Sequence, residues 1–251
     1  MSTLAVIPAR LGATRLPSKP LRLLGGTPLI LRVWERIGLM GLADRIVVAT
    51  DSREVVDACR EAGAEAVMTS LGHASGTDRV AEVAAMPQYA HFEVIVNVQG
   101  DEPYLPREAV EGAAALVRSG RFPLGTAAAE ADPAILDEVS VVKVVVDDSG
   151  RALYFSRSPI PFLRDAADEY TRAPLVRRHL GIYAYQRDAL ARLVALPPHP
   201  LEIVERLEQL RALAAGIPIG VATVGRVSCG GIDTEEDLAI ANARWTERHT
   251  G

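Results

Sequence analysis

Arg10, Arg15 and Lys19 put three cations on one short stretch, Ala5 to Leu21 (AVIPARLGATRLPSKPL), which holds a single glycine, Gly12. Pro8 and Pro17 are expected to stop both a strand and a helix, so the stretch reads as a loop leaving the end of an apolar strand, Leu4-Ala5-Val6-Ile7. Two guanidiniums and an ammonium suit a polyphosphate, because they neutralise much of its charge while forking onto several oxygens. A solvated basic loop is the other reading, and it is the usual fate of exposed Arg and Lys. Position favours a ligand, since α/β sheets bind theirs at strand ends of this kind. Two carboxylates add to it. Asp101 ends the apolar run FEVIVNV and its Gln-Gly turn, and Asp233 follows Gly230-Gly231. A pair of carboxylates is what Mg²⁺ takes from protein when phosphate and water supply its other oxygens. Each aspartate also has a plain reading, Asp101 as a turn former before Pro103 and Asp233 as a residue ahead of a helix cap.

These residues need a scaffold, and 251 residues, 49% hydrophobic and 24% charged, suffice for a large core. A net charge of −5 and a pI near 5.6 argue against a general nucleic-acid or membrane-surface binder, so the basic loop is a local device for a small anion. No signal peptide and no membrane-length apolar run is evident, which predicts a cytoplasmic protein. Cys59 and Cys229 form neither a C-x-x-C motif nor a disulfide framework. Cys59 reads as core, and Cys229 as a small residue beside two glycines.

Along the first hundred residues strand and helix patterns alternate. Pro28 to Met40 reads as a helix with Leu29, Val33, Ile37 and Met40 on one face. Arg45 to Ala49 reads as a strand, Val55 to Cys59 as a helix stopped at Gly63, and Ala64 to Thr69 as a strand. His73 to Arg79 is a loop entering a helix, and Phe92 to Val98 a buried strand. This order predicts an α/β fold with a mostly parallel sheet and helices on both faces. Neither G-x-G-x-x-G nor G-x-x-x-x-G-K-[ST] occurs, which disfavours a dinucleotide dehydrogenase or a P-loop NTPase. After a helix at Arg107 to Val117 the pattern turns antiparallel, with Val141 to Val146 and Ala152 to Phe155 flanking an Asp147-Asp148-Ser149-Gly150 hairpin turn. Ser158 to Pro174, with three prolines, is an excursion, and His179 to Tyr185 a strand. Arg187 to Leu196 and Leu201 to Ala215 are predicted helices. The second has Ile203, Leu207, Leu210 and Ala214 as its apolar stripe and Glu205, Glu208 and Gln209 opposite. Ile217 to Val224 is a last strand, and a Thr234-x-x-Asp237 capping box opens the final helix.

On these residues the chain resembles the 3-deoxy-manno-octulosonate (Kdo) cytidylyltransferases, or CMP-Kdo synthetases, along nearly its whole length. The matching stretches begin with Ile7-Pro8-Ala9-Arg10, Thr14-Arg15-Leu16-Pro17 and Lys19-Pro20-Leu21, then Ala49-Thr50-Asp51 and Ser75-Gly76-Thr77-Asp78-Arg79. Asn97 to Pro103, Val142-Lys143-Val144-Val145, Tyr154-Phe155-Ser156-Arg157 and Arg178 to Tyr183 follow, and then Leu207 to Arg211 and Gly231-Ile232-Asp233-Thr234. The first loop is shared by many nucleotidyltransferases; the Gln99 to Pro103, Phe155 to Arg157, His179 to Tyr183 and Glu208-Gln209 stretches are much more specific.

The resemblance implies a nucleotide-diphospho-sugar transferase fold in one domain, 1–251, with a sugar-binding and dimerisation lobe at about 140–200, and a Mg²⁺-dependent homodimer making CMP-Kdo and pyrophosphate from CTP and Kdo. It assigns CTP to Ala9, Arg10, Arg15, Lys19, Ser75, Gly76, Arg79 and Asp101, with the cytosine end near Ser75 to Arg79. Catalysis falls to Arg10, Lys19, Asp101 and Asp233, the last two holding the metal. Arg157 meets the sugar carboxylate, and Gln99, His179, Tyr183, Glu208 and Gln209 the rest of the sugar. From the residues alone, His179 and Tyr183 also read as polar core positions sharing a strand face, and Glu208 and Gln209 as a solvated helix face. The chain departs from the family at Ser18, where glycine is usual, and at Glu138-Val139-Ser140, where an Asn-Pro-Asn-like approach is usual. The alternatives are the same chemistry on a sialic acid or an amino analogue of Kdo, a CTP-sensing module without turnover, and a generic sugar-binding protein.

Overall fold

In the computed structural model, residues 1–12, 15–227 and 230–249 are described; Thr14 and Cys229 lie outside them. The chain divides into two compact units, Met1–Leu105 with Cys229–Gly251, and Pro106–Ser228. Among the described residues no helix is long and apolar enough to cross a membrane.

The first unit runs β1 (Thr3–Ala9), a small hairpin of β2 (Leu23–Leu24) and β3 (Thr27–Pro28), α1 (Leu29–Met40), β4 (Arg45–Thr50), α2 (Arg53–Glu61), β5 (Ala66–Met68), α3 (Gly76–Ala85) and β6 (Val94–Val98). Its sheet is parallel, β5-β4-β1-β6, so strand order reverses beside β1. In such sheets ligands bind where the order reverses, beyond the strands' carboxyl ends. The apolar stripe of α1 is buried as its spacing predicts, with Leu29, Val33, Ile37 and Met40 all at 4% exposure or less, and Cys59 is a buried free thiol.

β1 does not stop before Pro8; it runs through Pro8 to Ala9. Ser2 O accepts from Glu93 and Val94 on the β6 side, whereas Thr3 O accepts from Asp44 on the β4 side, and strand alternation then turns Pro8 toward β6. The β6 ladder ends at Val6↔Asn97. Pro8 thus falls just past the last paired residue of that ladder, at its margin, where a proline in a strand is tolerated. Gly100 fills the space beyond: a Cβ there would stand 2.8 Å from Pro8 O, a contact only glycine permits.

The second unit comprises α4 (Arg107–Arg118), β7 (Leu124–Glu130), β8 (Lys143–Val146), β9 (Ala152–Ser156), a short α5 (Glu169–Arg172), β10 (Arg177–Gln186), α6 (Arg187–Ala195), α7 (Pro200–Glu205), α8 (Gln209–Ala214) and β11 (Ile219–Val224). The final α9 (Glu235–His249) belongs to the first unit. β7 is parallel to β11 and antiparallel to β10, and β8 pairs antiparallel with β9 across the expected turn, so apart from the β2–β3 hairpin the antiparallel structure lies here. Sequence reasoning missed β7. Leu124 to Ala129 are all buried, with no alternation to mark a strand, and alanine and glycine have little strand preference. Their small size lets α4 come close: a Cβ on Gly125 would lie 2.2 Å from Ala113 O.

The single helix expected over Leu201 to Ala215 is two helices. Arg206 has a left-handed φ of 56° and ends α7, which rotates everything after it. The two halves therefore share no single face: Ile203 is 52% exposed and Ala214 exposed, while Gln209, expected on the polar face, is 6% exposed. Only Leu207 and Leu210 of the expected stripe are buried.

Candidate active site

Leu16, in the middle of the basic loop, is fully buried in a cluster with Leu24, Leu29, Ile232, Leu238 and Ala241, against which Tyr104 and Trp245 pack. One apolar residue thus pins a cationic loop to α9. Arg22 reinforces it with a forked pair to Glu235, at 2.5 and 2.7 Å. Tyr104 Oη donates to Ala241 O at 3.0 Å and Ile232 N to Asp101 O at 2.9 Å, so the turns carrying Asp101 and Asp233 are joined by backbone. Asp237 accepts from the backbone N–H of both Asp233 and Thr234 and, with Thr234 Oγ1, closes the expected capping box. Asp233 is therefore just outside the helix, and its carboxylate is not needed as a cap.

Lys19 Nζ reaches Asp101 Oδ2 at 2.5 Å and Asp233 Oδ1 at 2.8 Å. Two carboxylates more than a hundred residues apart thus face a single cation. Arg15 Nη2 lies 2.9 Å from Asp233 Oδ2. Burial by itself would lower the Lys19 pKa, but the charges and hydrogen bonds of Asp101 and Asp233 outweigh it and raise it above the ordinary value. Burial likewise pushes Asp233 upward and is outweighed, chiefly by Lys19 and then Arg15, leaving it below the usual carboxylate range. Arg10 is exposed and makes no hydrogen bond among the described residues, and Ala9 is buried at the strand end. Ser18, before Lys19, holds a left-handed φ of 53°.

Ser75 and Asp78 form a capping box that starts α3, and a Cβ on Gly76 would touch Pro8 at 3.4 Å, which sets this turn against the end of β1. Arg79 is 3% exposed, with its guanidinium bonded to Thr69 Oγ1 and, at 2.7 Å, to Asp51 Oδ2. It ties the ends of β4 and β5 to α3. Gln99 is half-buried beyond β6.

In the second unit, Lys143 is fully buried and its ammonium donates to three carbonyls, Arg157 O at 2.5 Å, Val141 O at 2.9 Å and Glu138 O at 3.0 Å. Arg157 continues this lattice. Its Nε donates to Glu205 O at 3.0 Å, and one terminal nitrogen to Val139 O at 3.0 Å and Ser140 O at 3.3 Å; Nη2 has no partner among the described residues. Glu205, expected to face water, instead accepts from Ser156 Oγ at 2.6 Å and Arg157 N at 3.0 Å. His179 and Tyr183 share a face of β10 across a register shift, with ring centroids 5.4 Å apart. Burial pushes the His179 pKa down to about 3 and raises that of Tyr183, helped by Tyr185 and Glu208. Glu208 is exposed, whereas Gln209 Nε2 is buried without a partner among the described residues. Sequence reasoning passed over Glu205 and the cage around Lys143, and it missed Thr126 on β7. All three act through backbone atoms or through one another, which spacing does not show.

A cytidylyltransferase family profile matches residues 4–219. A 3-deoxy-manno-octulosonate cytidylyltransferase of Gemmatimonas aurantiaca is 59% identical over 99% of this chain and 96% of its own. The chain belongs to the Kdo cytidylyltransferase family. Another member, from Polynucleobacter asymbioticus, is 46% identical over 94% of this chain and 92% of its own. A solved CMP:2-keto-3-deoxy-manno-octonic acid synthetase complexed with CTP superposes with a TM-score of 0.90 at 38% identity, covering 99% of this chain and 100% of that one. A 4-diphosphocytidyl-2C-methyl-D-erythritol synthase from Anaerococcus prevotii shares the fold, with a TM-score of 0.62 at 16% identity over 97% of each chain. The expected α/β fold and the family resemblance thus hold. This Kdo cytidylyltransferase chain brings together Arg15, Lys19, Asp101 and Asp233 in one unit and Arg157, His179 and Tyr183 in the other.

Proposed function

We propose that this protein transfers CMP from CTP to the anomeric hydroxyl of Kdo, releasing pyrophosphate. The observation that carries the reading is the convergence of Asp101 and Asp233 on one cation beside the basic loop, at the place where strand order reverses. Two carboxylates within reach of one ammonium are a donor set suited to Mg²⁺, which takes few protein ligands and fills its octahedron with phosphate and water. No cluster of three or more His, Cys, Asp or Glu competes among the described residues. Mg²⁺ held by Asp101 and Asp233 would neutralise triphosphate charge. Lys19, relieved of the aspartates, then joins Arg10 and Arg15 on the phosphates, and Ala9, Ser75, Gly76 and Arg79 shape the nucleoside pocket. Such phosphoryl transfer rests on positioning and charge stabilisation, so no side chain has to be a nucleophile.

The unpartnered Nη2 of Arg157 suits a sugar carboxylate, and the orphaned Gln209 amide suits a hydroxyl, with Gln99, His179, Tyr183 and Glu208 completing the set. A CTP-dependent step belongs in the cytoplasm. We also infer a homodimer, with Phe162 (80% exposed) and Tyr170 (92%) covered by a second copy; light scattering giving a monomer mass at working concentration would refute it.

The deciding experiment is pyrophosphate release with CTP, ATP or GTP against a panel of acidic sugars. The expected result is turnover with CTP and Kdo and at least about a hundredfold less with ATP, since a pocket closed on cytosine excludes a purine by size. Comparable turnover with ATP would overturn the nucleotide reading, and preference for another acidic sugar would overturn Kdo.

A further inference from the structure

Thr126 is fully buried on β7, opposite the shifted register of β10. Its hydroxyl stands 2.6 Å from Ile182 O and 2.9 Å from His179 Nε2. A hydroxyl has one proton to donate. A carbonyl oxygen at 2.6 Å can only accept, and without that proton two oxygens would face each other lone pair to lone pair. The proton therefore goes to Ile182 O, and the same oxygen must accept from His179 Nε2–H. A neutral imidazole with hydrogen on Nε2 carries a lone pair on Nδ1, which has no hydrogen-bond partner among the described residues and belongs to a half-buried ring. Phe155, edge-on to the imidazole at 5.0 Å, and Tyr183 at 5.4 Å hold the ring's plane.

We propose that Thr126 is a positioning residue that fixes His179 as the Nε2–H tautomer and so presents Nδ1 as an acceptor to a hydroxyl of the sugar. The sugar part rests on the reading of His179 given under Proposed function; the tautomer part does not. The strand bulge has a purpose in this arrangement. It turns Ile182 O toward Thr126, and that carbonyl takes the one proton that would otherwise compete for Nε2. With the tautomer set, His179 accepts from an alcohol and rejects a group that can only accept.

Nitrogen NMR of the histidine-labelled full-length protein tests the tautomer, with the His179 signal assigned by His179→Gln. The expected spectrum has a protonated Nε2 and an unprotonated Nδ1 in the native protein and in Thr126→Ser, and a mixture in Thr126→Val. A native spectrum with Nδ1 protonated, or an unchanged one in Thr126→Val, overturns the proposal. In steady-state assays Thr126→Val should raise KM for Kdo about three- to tenfold, the value of one hydrogen bond, with KM for CTP within about twofold, and Thr126→Ser should restore it. An equal rise in both KM values would mark a merely structural residue. If His179→Gln raises KM for Kdo and Thr126→Val does not, the positioning role is overturned. If His179→Gln itself leaves that KM unchanged, the sugar reading of His179 has failed while the spectrum still decides the tautomer.

Discussion

Lys19 and Lys143 are both largely or wholly withdrawn from water, yet they are held in opposite ways. Two carboxylates hold Lys19, each of which could be satisfied by a metal ion instead. Lys143 is held by three backbone carbonyls, which have no alternative cation and cannot leave without unmaking the 138–141 segment and the end of β9. An ammonium paired with side-chain charges can be exchanged during a reaction. One caged by carbonyls is architecture, although its charge is the same.

The largest expected effect separates the two. Lys143→Met strips Val141 O and Arg157 O of their donor and leaves Glu138 O with only the Val141 N–H, so at roughly 1–3 kcal/mol for each group left unsatisfied the loss is about 2 kcal/mol or more. Lys19→Met should cost about 1 kcal/mol at most, because its partners are partly exposed. Denaturant unfolding checks both, and equal losses would end the distinction.

Activity should show the reverse pattern, one step smaller. Asp101→Asn and Asp233→Asn should each lower kcat about a hundredfold or more with little change in unfolding midpoint, and the double variant should be little worse than either. Near-normal turnover in either would return that aspartate to the role of a turn former. Arg157→Lys sharpens the other side. An ammonium cannot span Glu205 O, Val139 O and a substrate carboxylate together, so KM for the acidic sugar should rise about tenfold or more while KM for CTP holds.

A smaller effect is expected from pH. Asp233 has a folded pKa below its ordinary 3.8, so its link to Lys19 stabilises above that value and is lost as pH falls through the folded pKa. Lys19 has one raised above 10.5, so its share is present below that value and lost as pH rises through the folded pKa. Asp233→Asn should therefore flatten both limbs of the stability curve and change it little between; a variant curve parallel to the native one would deny the link. The smallest effect belongs to Ser18→Gly. Relief of the left-handed φ of 53° should raise stability by up to about 1 kcal/mol, offset in part by the added freedom of the unfolded chain. A melting temperature lower than native would show that the serine side chain has a use.

The regions differ in how far sequence alone exposes them. Asp101 and Asp233 stand on glycine turns after apolar runs, and charged pairs at strand ends leave a mark in composition and position. α1 was legible because burial on one face repeats with a fixed period, β6 because it is a nearly continuous β-branched apolar run, and the 147–150 hairpin because of its Asp-Asp-Ser-Gly turn. Thr126 and the Lys143 cage left no such mark. Their partners are main-chain carbonyls common to every residue, and β7 is built of alanines and glycine that alternate with nothing. Arg206 hid the break between α7 and α8, because an arginine in left-handed backbone carries no helix-stopping signature. Pro8 misled in the other direction, since whether a missing donor matters depends on where the neighbouring strand ends.

Lysine occurs only twice in these 251 residues, at 19 and 143. With Lys143 fully enclosed and the Lys19 side chain 17% exposed, the many arginines carry the rest of the positive surface. An amine-directed acylating reagent thus meets two targets worth naming, the chain's amino terminus and the ammonium between the two aspartates. Lys19 becomes a built-in reporter, and the rate at which it is acylated, followed by peptide mass, should fall when CTP is added and rise when Asp101 is replaced by Asn.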